Sequence, residues 1–236
     1  MKLKIFFNVQ NSSIETNDLL KGYLEKDREE FLYDYTEGKI YFDGVTNSVK
    51  EIRLGNNEII LDIVNRKYSD YIKTNIYYSK RLSTYGSTDP YLDLMLNYFE
   101  NHLGMSCLIK TSDDKYLVTN RSNRLLYKGG ELSVSFSGGI NGLKTGYLEE
   151  NMNALLFKEA EEELGITKKD FNKIYLLGIF VDSERGFKRD FYFYSELNID
   201  SDDLRLKMSK AFDKHEIGSY KFKGSELFEE KLNGSL

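Results

Sequence analysis
Residues Ser137–Ile166 read SGGINGLKTGYLEENMNALLFKEAEEELGI: a Gly-rich turn, a helical pattern, and a cluster of acids near the end of that pattern. On a helix Glu159, Glu162 and Glu163 stand at i, i+3 and i+4, so their side chains are neighbours. At about 100° per residue, Met152, Leu155, Leu156, Ala160 and Leu164 form one apolar stripe, while Lys158 and Glu161 point away from it. Glu163 projects between Leu155 and Leu156 with Glu159 beside it, which puts two acids on the inward edge. A solvated charge run would keep its acids on the outer face. Buried ionised carboxylates cost several kcal/mol unless they are protonated, paired with bases or bound to cations. Cations are the favoured reading, and a donor set made only of oxygens selects a hard ion, Mg²⁺ first and Mn²⁺ second.

The rest of the chain narrows the class. Its 236 residues allow one large domain or two small ones, and 40% hydrophobic content is enough for a core. A net charge of -5 and a pI near 5.3 argue against a general nucleic-acid binder and favour small phosphorylated molecules. The apolar run Met1 to Val9 is too short for a leader, and no membrane span is expected. Cys107 is the sole cysteine, so the reading is cytoplasmic with no intrachain disulfide. His102 and His215 are the only histidines and neither has a second ligand at zinc spacing.

Strands are expected at Lys2 to Val9, around Ile40 and Tyr41, and on either side of the Gly-Asn-Asn turn within Glu51 to Val64, with a helix from Asp18 to Tyr35. The polar, Tyr-rich segment Asn65 to Asn75 reads either as a surface helix or loop, or as an arm touching substrate. Asp89-Pro90 opens a helix that ends near Gly104. A hairpin follows, turning at Ser112-Asp113-Asp114. After it come Arg121 and Arg124, which either approach a phosphate or decorate a surface turn. Glu131 to Phe136 is a further strand leading into Gly138-Gly139. Beyond the acidic helix, IYLLGIFVD and RDFYFYSEL read as strands, Asp202 to Lys214 as a helix, Gly218 to Lys223 as a strand and Glu226 to Leu232 as a last helix. Strands interleaved with helices make an α/β layered domain.

Lys158 to Ile166, KEAEEELGI, resembles the end of the Nudix box, G-x5-E-x7-R-E-U-x-E-E-x-G-U with U aliphatic. Glu159, Glu162, Glu163, Gly165 and Ile166 match it directly, and Glu150 falls at the upstream glutamate. Lys158 stands where the box has arginine, keeping the charge and losing the planar fork. Lys144 stands at the first glycine; with Gly138-Gly139 as the glycine pair, the turn before Glu150 is five residues longer than usual. The resemblance implies an α/β fold, a Nudix α/β/α sandwich with a mixed sheet over residues 103–236; the strand pattern before it reads as a smaller β-rich α+β domain at 1–102, a candidate for substrate or homodimer contacts. It also implies Mg²⁺-dependent attack of water on a diphosphate that links a nucleoside to another group. Carried over by position, Glu159, Glu162 and Glu163 resemble metal ligands, Glu150 orients the helix or ligates through water, and Lys158 supports the carboxylates. Arg121, Arg124, Gly138 and Gly139 are the substrate-binding candidates. Glu216 resembles the further glutamate that some members place opposite the box helix as general base; it also reads as a solvated loop acid, and Glu159 is the other candidate base.

A diffuse likeness in element order extends to the UDP-glucose-type pyrophosphatases of the family, which split a UDP-sugar into UMP and sugar 1-phosphate. ADP-ribose or a dinucleotide is the alternative substrate. A non-catalytic nucleotide-sensing module is the rival from another class. The partial match of Gly138, Lys144 and Thr145 to a P-loop fails, because Leu143 occupies the second glycine. Tyr71, Tyr78, Tyr127 and Tyr147 are candidates to stack on a base.

Overall fold
The computed structural model describes residues 4–9, 25–39, 43–55, 58–87, 101–126, 129–183 and 187–225. The helix expected from Pro90, the strand at Ile40 and Tyr41, the helix at Glu226 to Leu232, and Tyr127 lie outside them. The chain divides into two compact units: residues 1–104, 139–153 and 180–190 form the first, and 105–138, 154–179 and 191–236 the second. The segments 139–153 and 180–190 thus group with the N-terminal residues.

The first unit is built on a four-stranded sheet of β1 (Lys4–Val9), β2 (Val45–Leu54), β3 (Glu58–Lys67) and β8 (Gly146–Tyr147), in the order β2-β3-β1-β8. The pair β1 and β3 is parallel, while β2 on β3 and β8 on β1 are antiparallel. β3 carries the buried run Leu61, Asp62, Ile63 and Val64, as expected of a central strand covered on both faces. Asp62 keeps its charge there because Arg53 donates to both its oxygens at 2.7 and 2.8 Å. A helix α1 (Glu25–Thr36) stands apart in sequence and buries none of its residues fully.

Asn65 to Asn75 is neither a surface helix nor a loop. β3 runs on to Lys67, and the chain then turns helical through α2 (Tyr68–Tyr71), a π-helical turn (Ile72–Ile76) and α3 (Tyr77–Tyr85). Tyr71, Ile72, Thr74 and Asn75 are buried. Thr74 Oγ1 lies 2.8 Å from the Asp70 carbonyl and 2.7 Å from Asn75 Oδ1, so its one proton has an acceptor within the helix in either direction. Tyr71 lies 4.9 Å from the ring of His102, whose Nδ1 is 2.6 Å from Thr46 Oγ1. Tyr71 and Tyr78 are therefore core residues and present no free ring face to a base.

The second unit carries a seven-stranded sheet, and the chain as a whole is mixed α/β. Its strands are β4 (Leu103–Lys110), β5 (Tyr116–Arg121), β9 (Phe171–Asp182), β10 (Lys188–Leu197) and β11 (Ile217–Lys223), in the order β11-β5-β4-β10-β9. Short strands β6 (Leu132–Ser133) and β7 (Phe136–Gly139) add to β5 and β4. Met105, Cys107, Ile109, Leu117, Phe191 and Phe193 fill its interior. The hairpin turn closes on Asp114 at φ 60. Its Asp113 accepts from the Ser201 N–H at 3.0 Å and hydroxyl at 2.8 Å, which ties the turn to α5 (Ser201–Met208).

The acidic helix is α4 (Leu148–Leu164). Met152, Leu156, Ala160 and Leu164 are buried as its wheel requires, while Leu155 is half-buried. It stops because Gly165 adopts φ +68 and donates its N–H to the Glu161 carbonyl at 3.0 Å. A Cβ on Gly165 would lie 2.7 Å from the Lys207 carbonyl oxygen. Gly165 is thus required twice, by its conformation and by the backbone packed against it. Ile166, fully buried, locks the exit. Among the described residues no helix is long and apolar enough to cross a membrane.

Candidate functional site
Three segments of the second unit meet at the end of α4. β5 ends in Arg121, β7 supplies Ser137 and Gly138, and a one-turn 3-10 helix (Lys214–Glu216) supplies Glu216 just before β11. Arg121, Ser137, Glu163 and Glu216 line one narrow crevice. Arg121 Nη1 donates to Ser137 Oγ at 3.1 Å, which holds the guanidinium over this crevice. The 3-10 turn is itself pinned: Asp213 N–H donates to the Glu162 carbonyl at 2.8 Å, Glu216 N–H to the Asp213 carbonyl at 2.9 Å, and Ser122 N–H to the Glu216 carbonyl at 2.9 Å.

Glu163 is only 6% exposed, and its Oε1 has no hydrogen-bond partner among the described residues. Burial pushes its proton affinity well above the carboxylate range, and Glu216 and Glu159 push it further. The Ser137 N–H and the Arg121 charge pull the other way without prevailing. Glu159 is pushed up to about 7, first by burial and then by Glu162, with Lys158 opposing and Glu216 and Asp213 adding to the shift. Glu216 is raised by burial and by Asp213 and Glu162, against Arg121 and His215. Burial is the first cause in all three, and the acids then destabilise one another's ionised forms by more than the nearby basic groups offset.

Of the residues picked from sequence, Glu159, Glu162, Glu163, Glu216, Lys158, Arg121 and Gly138 all belong to this unit, and Arg121 resolves towards the acids. Arg124 is exposed on the turn after β5. Lys158 reaches Glu162 through a single 3.7 Å pair between half-exposed groups, a weak, solvent-screened contact where a guanidinium fork would make two bonds. Glu150 and Gly139 belong to the first unit, where Glu150 Oε2 lies against Gly146. The glycine pair separates in role. A Cβ on Gly138 would come 2.6 Å from the Glu159 carboxylate carbon, whereas one on Gly139 would meet only His102 at 3.7 Å, an ordinary contact. Sequence reading missed Asp213 and Ser137. The D-x-x-E spacing of Asp213 and Glu216, two acids one helical turn apart, was the available signal for the first. Ser137 acts through its backbone N–H towards Glu163 and through its hydroxyl towards Arg121, and a lone serine leaves no signal of its own in sequence.

The donor chemistry fits a hard divalent ion. The acids that converge here, Glu159, Glu163 and Glu216, offer only oxygen donors, and the Glu163 oxygen without a partner among the described residues is one that an ion could take. As the side chains stand, no three acids, histidines or cysteines among the described residues are close enough together to hold an ion. Closing a coordination sphere would therefore take rotamer changes at Glu159 and Glu162, both of which are partly exposed. Gly138→Ala tests this geometry. It should displace the flexible end of Glu159 and leave the fold standing, lowering any metal-dependent turnover by about 10²-fold, the cost of misplacing a group by roughly 1 Å. Circular dichroism melting run beside the activity assay checks both halves.

No family model matches the chain, and no curated protein matches it in sequence. Solved structures to which it is similar include a protein of Deinococcus radiodurans (15% identity, TM-score 0.38, covering 56% of this chain and 74% of that one). Others are a Nudix hydrolase from Nitrosomonas europaea (19%, TM-score 0.38, 57% and 79%) and a MutT protein from Methanosarcina mazei (17%, TM-score 0.35, 53% and 78%). The likeness to Nudix hydrolases rests on Lys158–Ile166, which resembles the end of their box and closes α4.

Proposed function
We propose that the second unit is a Mg²⁺-dependent Nudix-type pyrophosphohydrolase acting on a nucleoside diphosphate linked to another moiety, with Mn²⁺ as an alternative ion. The observation that carries this reading is the buried carboxylate of Glu163, whose Oε1 has no partner among the described residues, set among Glu159, Glu162 and Glu216. Glu159, Glu162 and Glu163 would hold the ion. The chemistry such an ion supplies is charge neutralisation on the diphosphate and a lower pKa for the attacking water. Arg121 faces the same crevice and takes a phosphate oxygen. Glu216 comes from a different segment than the box and is assigned to accept the proton of the water; Glu159, pushed up to about 7, is the alternative. Lys158 restrains Glu162, and Gly138 leaves room for Glu159. Glu150 joins through water or by orienting the helix.

A UDP-sugar, cleaved to UMP and sugar 1-phosphate, is the preferred substrate, ahead of ADP-ribose or a dinucleotide. The reaction is taken to be cytoplasmic, with residues 1–102 supplying substrate or homodimer contacts and residues 103–236 the chemistry. A screen of nucleotide-linked diphosphates with Mg²⁺, products resolved by mass, tests the reading. Release of a nucleoside monophosphate from at least one compound is expected, and no product from any would reject it. A second reading, a nucleotide sensor without catalysis, is favoured by Lys158 at the arginine position and by acids that do not yet close around an ion. It predicts Mg²⁺-dependent binding of a nucleotide sugar with no turnover.

A further inference from the structure
Beside the acidic crevice lies a second cavity, of about 540 Å³, that none of the chemistry above uses. It opens between α5 and β11, and Glu163 forms part of its wall. Met208, Ile217 and Tyr220 give it apolar faces, while Ser209 and Ser219 put hydroxyls at the rim. Its shape comes from β11. Pairing with β5 skips a residue between Ile217 and Ser219, a bulge that leaves Gly218 without a partner in the register and re-aims the strand next to the site. A Cβ on Gly218 would come 3.2 Å from the Arg121 carbonyl oxygen, a tight contact with the backbone of β5. Ser219 is exposed and accepts from Asn120 Nδ2 at 3.1 Å.

Tyr220 is held as a platform. Phe222 packs edge-on against it, with ring centroids 6.0 Å apart at 80°, and Phe222 in turn lies 5.4 Å under the Arg205 guanidinium. A ring fixed in this way loses little freedom when another ring stacks on it.

We propose that this cavity is the subsite for a nucleobase, seated on Tyr220 with Met208 and Ile217 around it, while the attached diphosphate runs past Glu163 to the acids. The inference rests on the hydrolase reading for the position of the diphosphate. The volume lies within the range of small-ligand pockets. The lining decides which end of the substrate enters. A sugar ring carries a hydroxyl on nearly every carbon, and burying those needs a matching set of side-chain partners; Ser209, Ser219 and the Tyr220 hydroxyl are too few. A base has two apolar faces and a short polar edge, which suits an aromatic platform with hydroxyls at the rim. Glu163 and Ile217 line both the cavity and the crevice, and the Glu163 oxygen that lacks a partner among the described residues marks where the two parts of a substrate would join.

The test uses the full chain in EDTA with uncharged probes, so that neither metal nor phosphate enters. Adenosine and uridine are titrated against ribose by ligand-observed NMR. The nucleosides are expected to bind through their base protons. Tyr220→Ala should weaken them at least fivefold, about 1 kcal/mol, the lower end of base stacking on an aromatic ring. Tyr220→Phe should restore them to within about twofold, since the stacking face is retained. Ser219→Trp, a change at an exposed position that fills the mouth of the cavity, should weaken them as Tyr220→Ala does. Base affinity unchanged in both Tyr220→Ala and Ser219→Trp, or wild-type binding no stronger than that of ribose, would overturn the proposal. The two readings fail separately. Tyr220-dependent base binding without turnover on any diphosphate removes the hydrolase and keeps the subsite; turnover whose KM is indifferent to Tyr220→Ala does the reverse.

Discussion

Glu163→Gln is expected to abolish metal-dependent turnover and, in the same protein, to raise the melting temperature of the metal-free form. Glutamine keeps the shape of the side chain and removes its charge. The loss of activity should reach about 10³-fold or more, some 4 kcal/mol of barrier, because a ligand to the ion contributes most where charge develops. The gain in stability follows from burial. At neutral pH the wild-type carboxyl must either ionise in a dry site that already holds Glu159 and Glu216, or take up a proton at a cost set by its raised affinity. Glutamine does neither, and the stabilisation should be about 1–3 kcal/mol. Glu162→Gln shares the first effect and lacks the second, because Glu162 is partly exposed and paired with Lys158. Steady-state assays and thermal melts on both variants separate the outcomes. Unchanged turnover in both would reject the site, and a destabilised Glu163→Gln would show that the acid has a partner in solution.

The second large effect is a stability profile tilted towards acid. Glu159 has a folded pKa of about 7 against an ordinary value of 4.5. A raised acid contributes stability that is fully present below pH 4.5 and is lost as pH rises to about 7, here about 3 kcal/mol. Glu163 and Glu216 are shifted in the same direction and deepen the loss. On the acid side the sign reverses. Arg53, with help from Asn8, holds Asp62 below the usual range, and the stability it contributes disappears as pH falls through that lowered value. Metal-free protein should therefore unfold least readily near pH 4–5 and progressively more readily towards pH 8. On the proposed reading Mg²⁺ would be held by the ionised acids, so its stabilisation should be small at pH 5 and grow with pH. Urea titrations at pH 5, 6.5 and 8, with EDTA or with Mg²⁺, read both curves. A flat metal-free profile between pH 5 and 8 would remove the mutual repulsion on which the site depends.

The parts of the molecule that depend on local geometry were legible from residues alone. Helical spacing placed Glu159, Glu162 and Glu163 together, and the Gly165-Ile166 ending corresponds to a left-handed cap followed by a buried anchor. Features that depend on strand pairing were not. Arg121 and Arg124 lie three residues apart and look equivalent in sequence; the last residue of β5 faces the crevice and the one on the turn faces solvent. Asp213 and Glu216 follow the box by some fifty residues, and only the pairing of β11 with β5 returns them to it. Asn65 to Asn75 misled for another reason. Its polarity suggested a surface, yet Thr74 and Asn75 spend their polar groups on the helix that carries them, which leaves a segment that can be buried. Leu155 was placed on the apolar stripe and sits at its half-buried margin, the usual uncertainty at the edge of a helical face.

Cys107 offers a use that its packing makes available. The thiol is 1% exposed, lies 3.3 Å from Ser195 Oγ, and has its pKa pushed up to about 12 by burial. In the folded state it is both hidden and protonated, so a thiol-specific reagent can react only after β4 has come away from its sheet. As the chain's single sulfhydryl, it makes labelling a one-event clock for opening of the second unit, needing no introduced probe. Labelling rates with and without Mg²⁺ would then show directly whether an ion at the end of α4 holds the sheet closed.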